Sequence, residues 1–338
     1  MIEDTNQIAE LNSDGKITLA IRHKDQLMFP ATVDGIVWET NRQGSPAKLS
    51  FSVIQDEQLN FQEGDPVRFE YDGNKVFYGF VFTKKRNKNG IINVMAYDQL
   101  RYLKNKNTYV YKQKTATELI KMIAQDFNLQ CGEMDDTAYI IEKRCEDNKT
   151  LFDIIQTALD LTLVAQKKLY VLYDNFGKIE LKNIENMKLD LVIQDDTAEN
   201  YNYESSIDKA TYSRVRLYRK NKDTGKYDIY QAQSTESMNQ WGVLQYTETI
   251  DENIDGKSKA DNILLLYNSK TRSLLINNAF GDPRVRAGCS VIVNLALGDI
   301  DVKNSYLIVE SARHKFEENQ HLMELHLRSG EKDGGRFV

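Results

Sequence analysis

Two stretches of the chain, residues 63–98 and 287–326, pass through the same order of turns and strands, and a chain that repeats a unit must repeat its architecture. Glu63-Gly64-Asp65-Pro66-Val67 lies on Ala287-Gly288-Cys289-Ser290-Val291, each placing a glycine in a turn ahead of a valine that opens a strand. Residues 78–98 then lie on 306–326, matching Tyr78 with Tyr306, Val81 with Val309 and Met95 with Met323. Both stretches run glycine turn, strand, polar link, buried strand, basic tip, returning strand. On this alignment Met95 and Tyr97 fall on Met323 and Leu325, which preserves strand parity; a one-residue slip would exchange the faces.

Strand grammar surrounds both copies. Ile17-Thr18-Leu19-Ala20-Ile21 is apolar and β-branched, Leu49, Phe51 and Val53 alternate with polar neighbours, and Val67, Phe69 and Tyr71 fall on one face at period two, with turns at residues 41–46, 63–66 and 72–74. Up to about residue 104 these segments predict a small, closed or nearly closed antiparallel β-structure. The pattern then changes. Thr115-Ala116-Thr117-Glu118 is a capping box ahead of Leu119, Ile120, Ile123, Ala124 and Phe127 at helical spacing. A second amphipathic helix is expected from Thr150, and a hairpin over residues 169–181. After Tyr203 strands return, interrupted by a helix expected between Gly256 and Asn278.

The fold class is therefore α+β: two related antiparallel β-barrel, tube-like domains with an intervening α/β domain and a helical insertion in the second barrel. The expected boundaries are 1–110, 111–200 and 201–328, with the insertion near 257–278. A polar, glycine-rich tail, 329–338, is expected to be flexible unless a partner orders it.

The composition narrows the chemistry. A net charge of -6 argues against a dedicated phosphate-backbone binder, and Lys84-Lys85-Arg86-Asn87-Lys88 reads as a solvated hairpin tip. The first residues lack the basic start and apolar core of a signal peptide, and no apolar run approaches a bilayer span, so synthesis in the bacterial cytoplasm and no membrane binding are expected. Cys131, Cys145 and Cys289 form no disulfide framework and no Cys-x-x-Cys zinc pair. His321 and His326 are five apart, on opposite faces of a strand, and cannot share a metal without a bulge. Cys145, flanked by Lys143 and Arg144, is the one thiol that a hydrolase reading can use, yet no fitting histidine motif follows it. Asp135-Asp136 and Asp195-Asp196 read as solvated turn acids, and no phosphate loop, dinucleotide fingerprint or serine elbow is present. No catalytic, metal or cofactor-binding residue is therefore assigned.

Several segments together resemble a known family: Glu63-Gly64-Asp65-Pro66-Val67, Tyr78-Gly79-Phe80-Val81 followed by Ala96-Tyr97-Asp98, Thr150-Leu151-Phe152-Asp153-Ile154-Ile155, and Gly281-Asp282-Pro283-Arg284-Val285-Arg286-Ala287-Gly288. Their order is similar to that in baseplate hub proteins of contractile phage tails and R-type bacteriocins, of the XkdQ-like, PBSX-prophage type. The resemblance implies a structural protein and not an enzyme. It implies a homotrimer whose six β-domains form a quasi-sixfold ring between the hexameric tail tube and the trimeric spike, in contact with other baseplate proteins and assembled into a virion or bacteriocin particle. DNA would be at most cargo in the lumen. The resemblance also implies that the tail, with Arg336, Phe337 and Val338, reaches the spike. A tail-associated peptidoglycan hydrolase using Cys145 is the alternative from a different class, and a carbohydrate-binding β-protein a third.

Overall fold

The computed structural model describes residues 16–56, 59–208, 210–221, 225–250, 254–297, 301–317 and 320–329. The first module consists of β1 (Ile17–His23), β2 (Gln26–Met28), β3 (Thr32–Asn41), β4 (Lys48–Ile54), β5 (Pro66–Tyr71), β6 (Asn74–Arg86) and β7 (Ile91–Tyr97). Alternation makes these strands: Leu49, Phe51 and Val53 of β4, Val67, Phe69 and Tyr71 of β5, and Ile92, Val94 and Ala96 of β7 all enter one core with Ile21 and Trp38. Asp72 and Gly73, at φ of 50° and 73°, make the tight turn from β5 to β6, where the twist of paired strands demands left-handed residues.

A 3-10 turn, Gln99–Lys104, leads into the middle unit: β8 (Lys106–Lys114), α1 (Ala116–Asp126), β9 (Cys131–Met134), β10 (Ile141–Thr150), α2 (Leu151–Gln166), β11 (Tyr170–Asp174) and β12 (Ile179–Asn183). The capping box forms as expected. Thr115 accepts from the Glu118 N–H, and the Glu118 carboxylate accepts from the Thr115 N–H at 2.8 Å. Thr150 caps α2 by accepting from the Asp153 N–H. Leu119, Ile120 and Ile123 of α1 then pack against Leu151, Ile154 and Ile155 of α2 in a core of their own.

The second module contains β13 (Lys188–Gln194), β14 (Asn200–Ser206), β15 (Arg214–Lys220), β16 (Tyr227–Gln233), α3 (Thr235–Trp241), β17 (Gln245–Thr249), α4 (Gly256–Tyr267), β18 (Thr271–Phe280), β19 (Ser290–Ala296), β20 (Asp301–Phe316) and β21 (His321–Ser329). The helix expected over 257–278 ends at Tyr267, and β18 takes the remainder. Leu274, Leu275 and Ile276 suit a helix face as well as a strand, and pairing with β14 and β21 decides for the strand, burying Leu274 and Ile276 and leaving Leu275 exposed. The insertion between β14 and β18 is also larger than a helix, because β16, β15 and β17 form a small sheet against α4 through Val215, Leu217, Ala260 and Ile263.

The duplication is explicit in the hydrogen bonding. Strands run β3-β4-β7-β6-β5-β1 in the first module and β14-β18-β21-β20-β19-β13 in the second, the same order in the same sequence succession. The Gly64 N–H donates to the Val81 carbonyl at 2.8 Å and the Val81 N–H to the Asp65 carbonyl at 2.9 Å; Gly288, Val309 and Cys289 make the same two bonds at 2.8 and 2.9 Å. Each glycine sits at positive φ, 91° and 96°. Both long strands then carry an irregularity at the matching place, between Val81 and Thr83 and between Val309 and Ser311. The edge strands differ, β1 joining antiparallel and β13 parallel.

The alignment of the returning strand needs correction. Met95 pairs with Thr83, but its counterpart beside Ser311 is His326, three residues beyond Met323. The β20–β21 hairpin is longer, and an odd displacement reverses parity. The core residues Ile92, Val94 and Ala96 therefore correspond to Met323, Leu325 and Leu327, while Met95 and Tyr97 lie on the other face. The molecule is thus mostly antiparallel β-sheet with few helices. Among the described residues the large sheet runs between open edges without closing into a barrel.

Candidate functional site

The two modules meet edge to edge. Beyond its irregularity β20 leaves β19 and pairs antiparallel with β3, setting Ser311 opposite Asn41, Arg313 opposite Glu39, His314 opposite Trp38 and Phe316 opposite Ile36. The ladder is extended by the Arg42 N–H donating to the Glu310 carbonyl at 2.9 Å, and the Thr40 hydroxyl accepts from the Ala287 N–H at 2.9 Å. Phe316 is fully buried in the first module's core although it belongs to the second module's strand.

Polar groups fix this junction laterally. Glu310 is held by two arginines, accepting from Arg42 Nε at 2.9 Å and lying 2.8 Å from Arg328. Arg42 is buried, so its charge requires this partner. On the opposite face His314 Nδ1 and His321 Nε2 are hydrogen bonded at 2.8 Å between Trp38, Tyr71 and Phe316, one ring donating and the other accepting. Burial holds both imidazoles neutral, pushing His314 down to about 3 and His321 down to about 4, with the neighbouring ring lowering His314 further.

A second cluster ties in the middle unit. Arg286, in the turn before β19, donates to the Asp174 carbonyl at 2.9 Å and stacks 4.1 Å above the Tyr173 ring, with Trp38 at 5.9 Å on the first module. Asp174 accepts from Gln99 Nε2 at 2.8 Å and from the Gly177 N–H at 2.7 Å. Asp98 accepts from the Ala47 and Leu100 N–H groups, both at 3.0 Å. Burial, and then the charge of Asp174, raises the Asp98 carboxyl well above its ordinary value; burial pushes Asp174 up to about 6 against the pull of its hydrogen bonds and Arg286. These groups join three cores, with Asp98, Gln99 and Asp174 all buried.

The other sequence candidates are dispersed. Cys145 is exposed on β10 opposite Val110, His23 bonds Asp65 at 2.8 Å, and His326 is exposed on the face of β21 opposite His321. Asp136 accepts from the Ala138 N–H in a turn, Asp135 accepts from the remote Asn183 N–H at the end of β12, and Asp195 and Asp196 are exposed. Among the described residues no group of three or more His, Cys, Asp and Glu could hold a metal, and no helix is long and apolar enough to cross a membrane. Arg336, Phe337 and Val338 lie outside the described residues. Sequence reasoning missed Arg286 and Asp174 as partners. Arg286 and Asp98 stand in segments that carried the resemblance, but nothing in one sequence pairs them across the fold.

Two β-modules of one design are thus joined edge to edge through buried polar bonds, and the similarity of the chain to known proteins supports a structural tail or baseplate role. The YqbQ-like family model matches residues 36–328, and the chain belongs to that family. The phage-like element PBSX protein XkdQ of Bacillus subtilis (strain 168) is 30% identical over 312 residues, covering 89% of this chain and 93% of XkdQ. Among solved structures, the 43 kDa tail protein of prophage MuSo2 from Shewanella oneidensis superposes with a TM-score of 0.68 at 10% identity, covering 92% of this chain and 98% of that one. The E. coli c3393 protein, a type VI secretion component described as structurally similar to the T4 bacteriophage tail proteins gp27 and gp5, gives 0.59 at 9% identity, covering 94% of this chain and 78% of its own. Tail proteins from Neisseria meningitidis and from a Listeria monocytogenes prophage share the fold as well.

Proposed function

We propose that the chain is the hub subunit of the baseplate of a contractile phage tail or tail-like bacteriocin, a homotrimer whose six β-modules form a quasi-sixfold ring between the hexameric tail tube and the trimeric spike. The observation that carries this reading is the equivalence of the two modules, which share strand order, glycine turn, register and bulge. One chain with two such units offers sixfold-like surfaces to a tube from a threefold assembly. The likeness to a protein described as similar to two T4 tail components supports association with other tail and baseplate proteins.

In this reading the tube-like β-domains span 1–110 and 201–328, the α/β unit of 111–200 and the insertion lie outside the ring, and the tail of 329–338, with Arg336, Phe337 and Val338, docks on the spike. DNA, where the particle carries any, passes through the lumen as cargo. Mass measurement in solution together with negative-stain imaging tests the proposal. A ring of three chains is expected; a chain that stays monomeric, even when mixed with its spike and tube proteins, defeats it.

A further inference from the structure

The two strand segments that join the modules inside one chain have counterparts elsewhere in the same sheet. Through the register of β3 with β4 and of β14 with β18, Trp38 corresponds to Tyr203, Glu39 to Glu204, Thr40 to Ser205 and Asn41 to Ser206. Through the shared glycine turn and bulge, Ser311, Ala312, Arg313 and His314 of β20 correspond to Thr83, Lys84, Lys85 and Arg86 of β6. The first pair of segments meets inside the chain. The second pair does not: among the described residues β14 pairs in the sheet only with β18, and β6 past its irregularity only with β7, where the Lys84 ammonium reaches the Phe61 carbonyl. Two such edges are templates for pairing with another copy.

We propose that β6 of one copy pairs antiparallel with β14 of the next, placing Thr83 opposite Ser206, Lys84 opposite Ser205, Lys85 opposite Glu204 and Arg86 opposite Tyr203. The occupant is a second copy of this chain because the two edges complement each other in the same terms as the internal junction. Lys85 opposite Glu204 repeats the charges of Arg313 opposite Glu39, and Ser205 supplies a hydroxyl where Thr40 accepts from the turn N–H of Ala287. Lys85, Arg86, Glu204 and Ser205 are all exposed. The matching bulge keeps the outward amides of β6 in the phase of those of β20. The two junctions differ in one respect. Inside the chain His314 and Phe316 enter a buried aromatic cluster, whereas β6 offers Arg86 and then Asn87 and Lys88. The internal junction is therefore permanent, and the one between copies is polar and forms on assembly. Head-to-tail use of one edge against the other closes into a ring of three when the rotation from copy to copy is a third of a turn.

This inference rests on the trimeric ring, and the experiment separates the two. In the full chain carrying Cys131→Ser and Cys145→Ser, so that its exposed native thiols are absent, Lys85→Cys and Glu204→Cys are combined and the protein is oxidised. Opposed residues of an antiparallel pair have Cα atoms about 4.5–5.5 Å apart, within disulfide reach. Two- and three-chain species are expected on a non-reducing gel, whereas Lys85→Cys with Asn202→Cys, two residues out of register, should give less than about a tenth as much. Without thiols, Lys85→Glu should raise the concentration for half-assembly by about tenfold, and adding Glu204→Lys should restore it. A trimeric mass with no 85–204 cross-link and no charge rescue overturns the strand pairing while leaving the ring; a monomeric mass overturns both.

Discussion

The ring of Phe316 meets that of Phe69 edge-on, with centroids 4.9 Å apart and planes at 71°, so the end of the second module's longest strand is a core residue of the first. The modules are therefore one cooperative body at this point. A fully buried Phe in a packed core contributes several kcal/mol through contacts and excluded cavity.

Phe316→Ala should destabilise the chain by about 3–5 kcal/mol. Calorimetry of the monomeric chain should show a lowered melting temperature and a first-module transition separated from the second. An unchanged single transition would mean that the aromatic contact does not couple them.

The two turn glycines should respond unequally. Both lie at positive φ, so alanine is strained at either, at about 1 kcal/mol. A Cβ at Gly64 would enter open space, but one at Gly288 would come within 2.5 Å of Val171 Cγ1. Urea titration should show Gly288→Ala losing clearly more stability than Gly64→Ala, although the turns are equivalent. Equal losses would refute the packing of the middle unit on this turn.

The imidazole pair should make the protein acid-sensitive in a defined window. His314 and His321 have folded values pushed down to about 3 and about 4, below the ordinary 6.5, so the unfolded chain takes up protons first as pH falls. Stability is full above pH 6.5 and is lost as pH drops toward 4, by about 3 kcal/mol from His314 alone. Asp174, raised to about 6, acts in the opposite direction over the same range, stabilising as pH falls. Comparing wild type with the double variant His314→Phe, His321→Phe removes that shared contribution. Denaturation midpoints between pH 7 and 4 should fall more steeply in wild type.

Arg286→Ala should cost about 3–5 kcal/mol, since it strands a buried carboxyl pair and empties the space above Tyr173. Arg286→Lys should recover only part of this, because an ammonium lacks the flat guanidinium that both stacks and donates. Chemical denaturation measures both; full recovery by lysine would reduce the site to a point charge.

Much of the local structure was written in the sequence, since it depends on neighbours along the chain. Alternating Leu49, Phe51 and Val53, the Asp72-Gly73 turn and the Thr115–Glu118 capping box each specify their own conformation. Even the equivalence of Gly64 with Gly288 and of Val81 with Val309 is legible, because a turn glycine followed by a strand is a local event. What depended on remote partners was not. The returning strand was displaced by three residues, because hairpin length leaves no mark in a period-two pattern. Residues 271–280 became a strand only because β14 and β21 flank them. The apposition of Phe316 with Phe69, the shelter given to His314 by His321 and the seating of Arg286 between Tyr173 and Trp38 are choices of tertiary structure. Burial, which sets the energy of each of these groups, is a property of the whole fold and of no single segment.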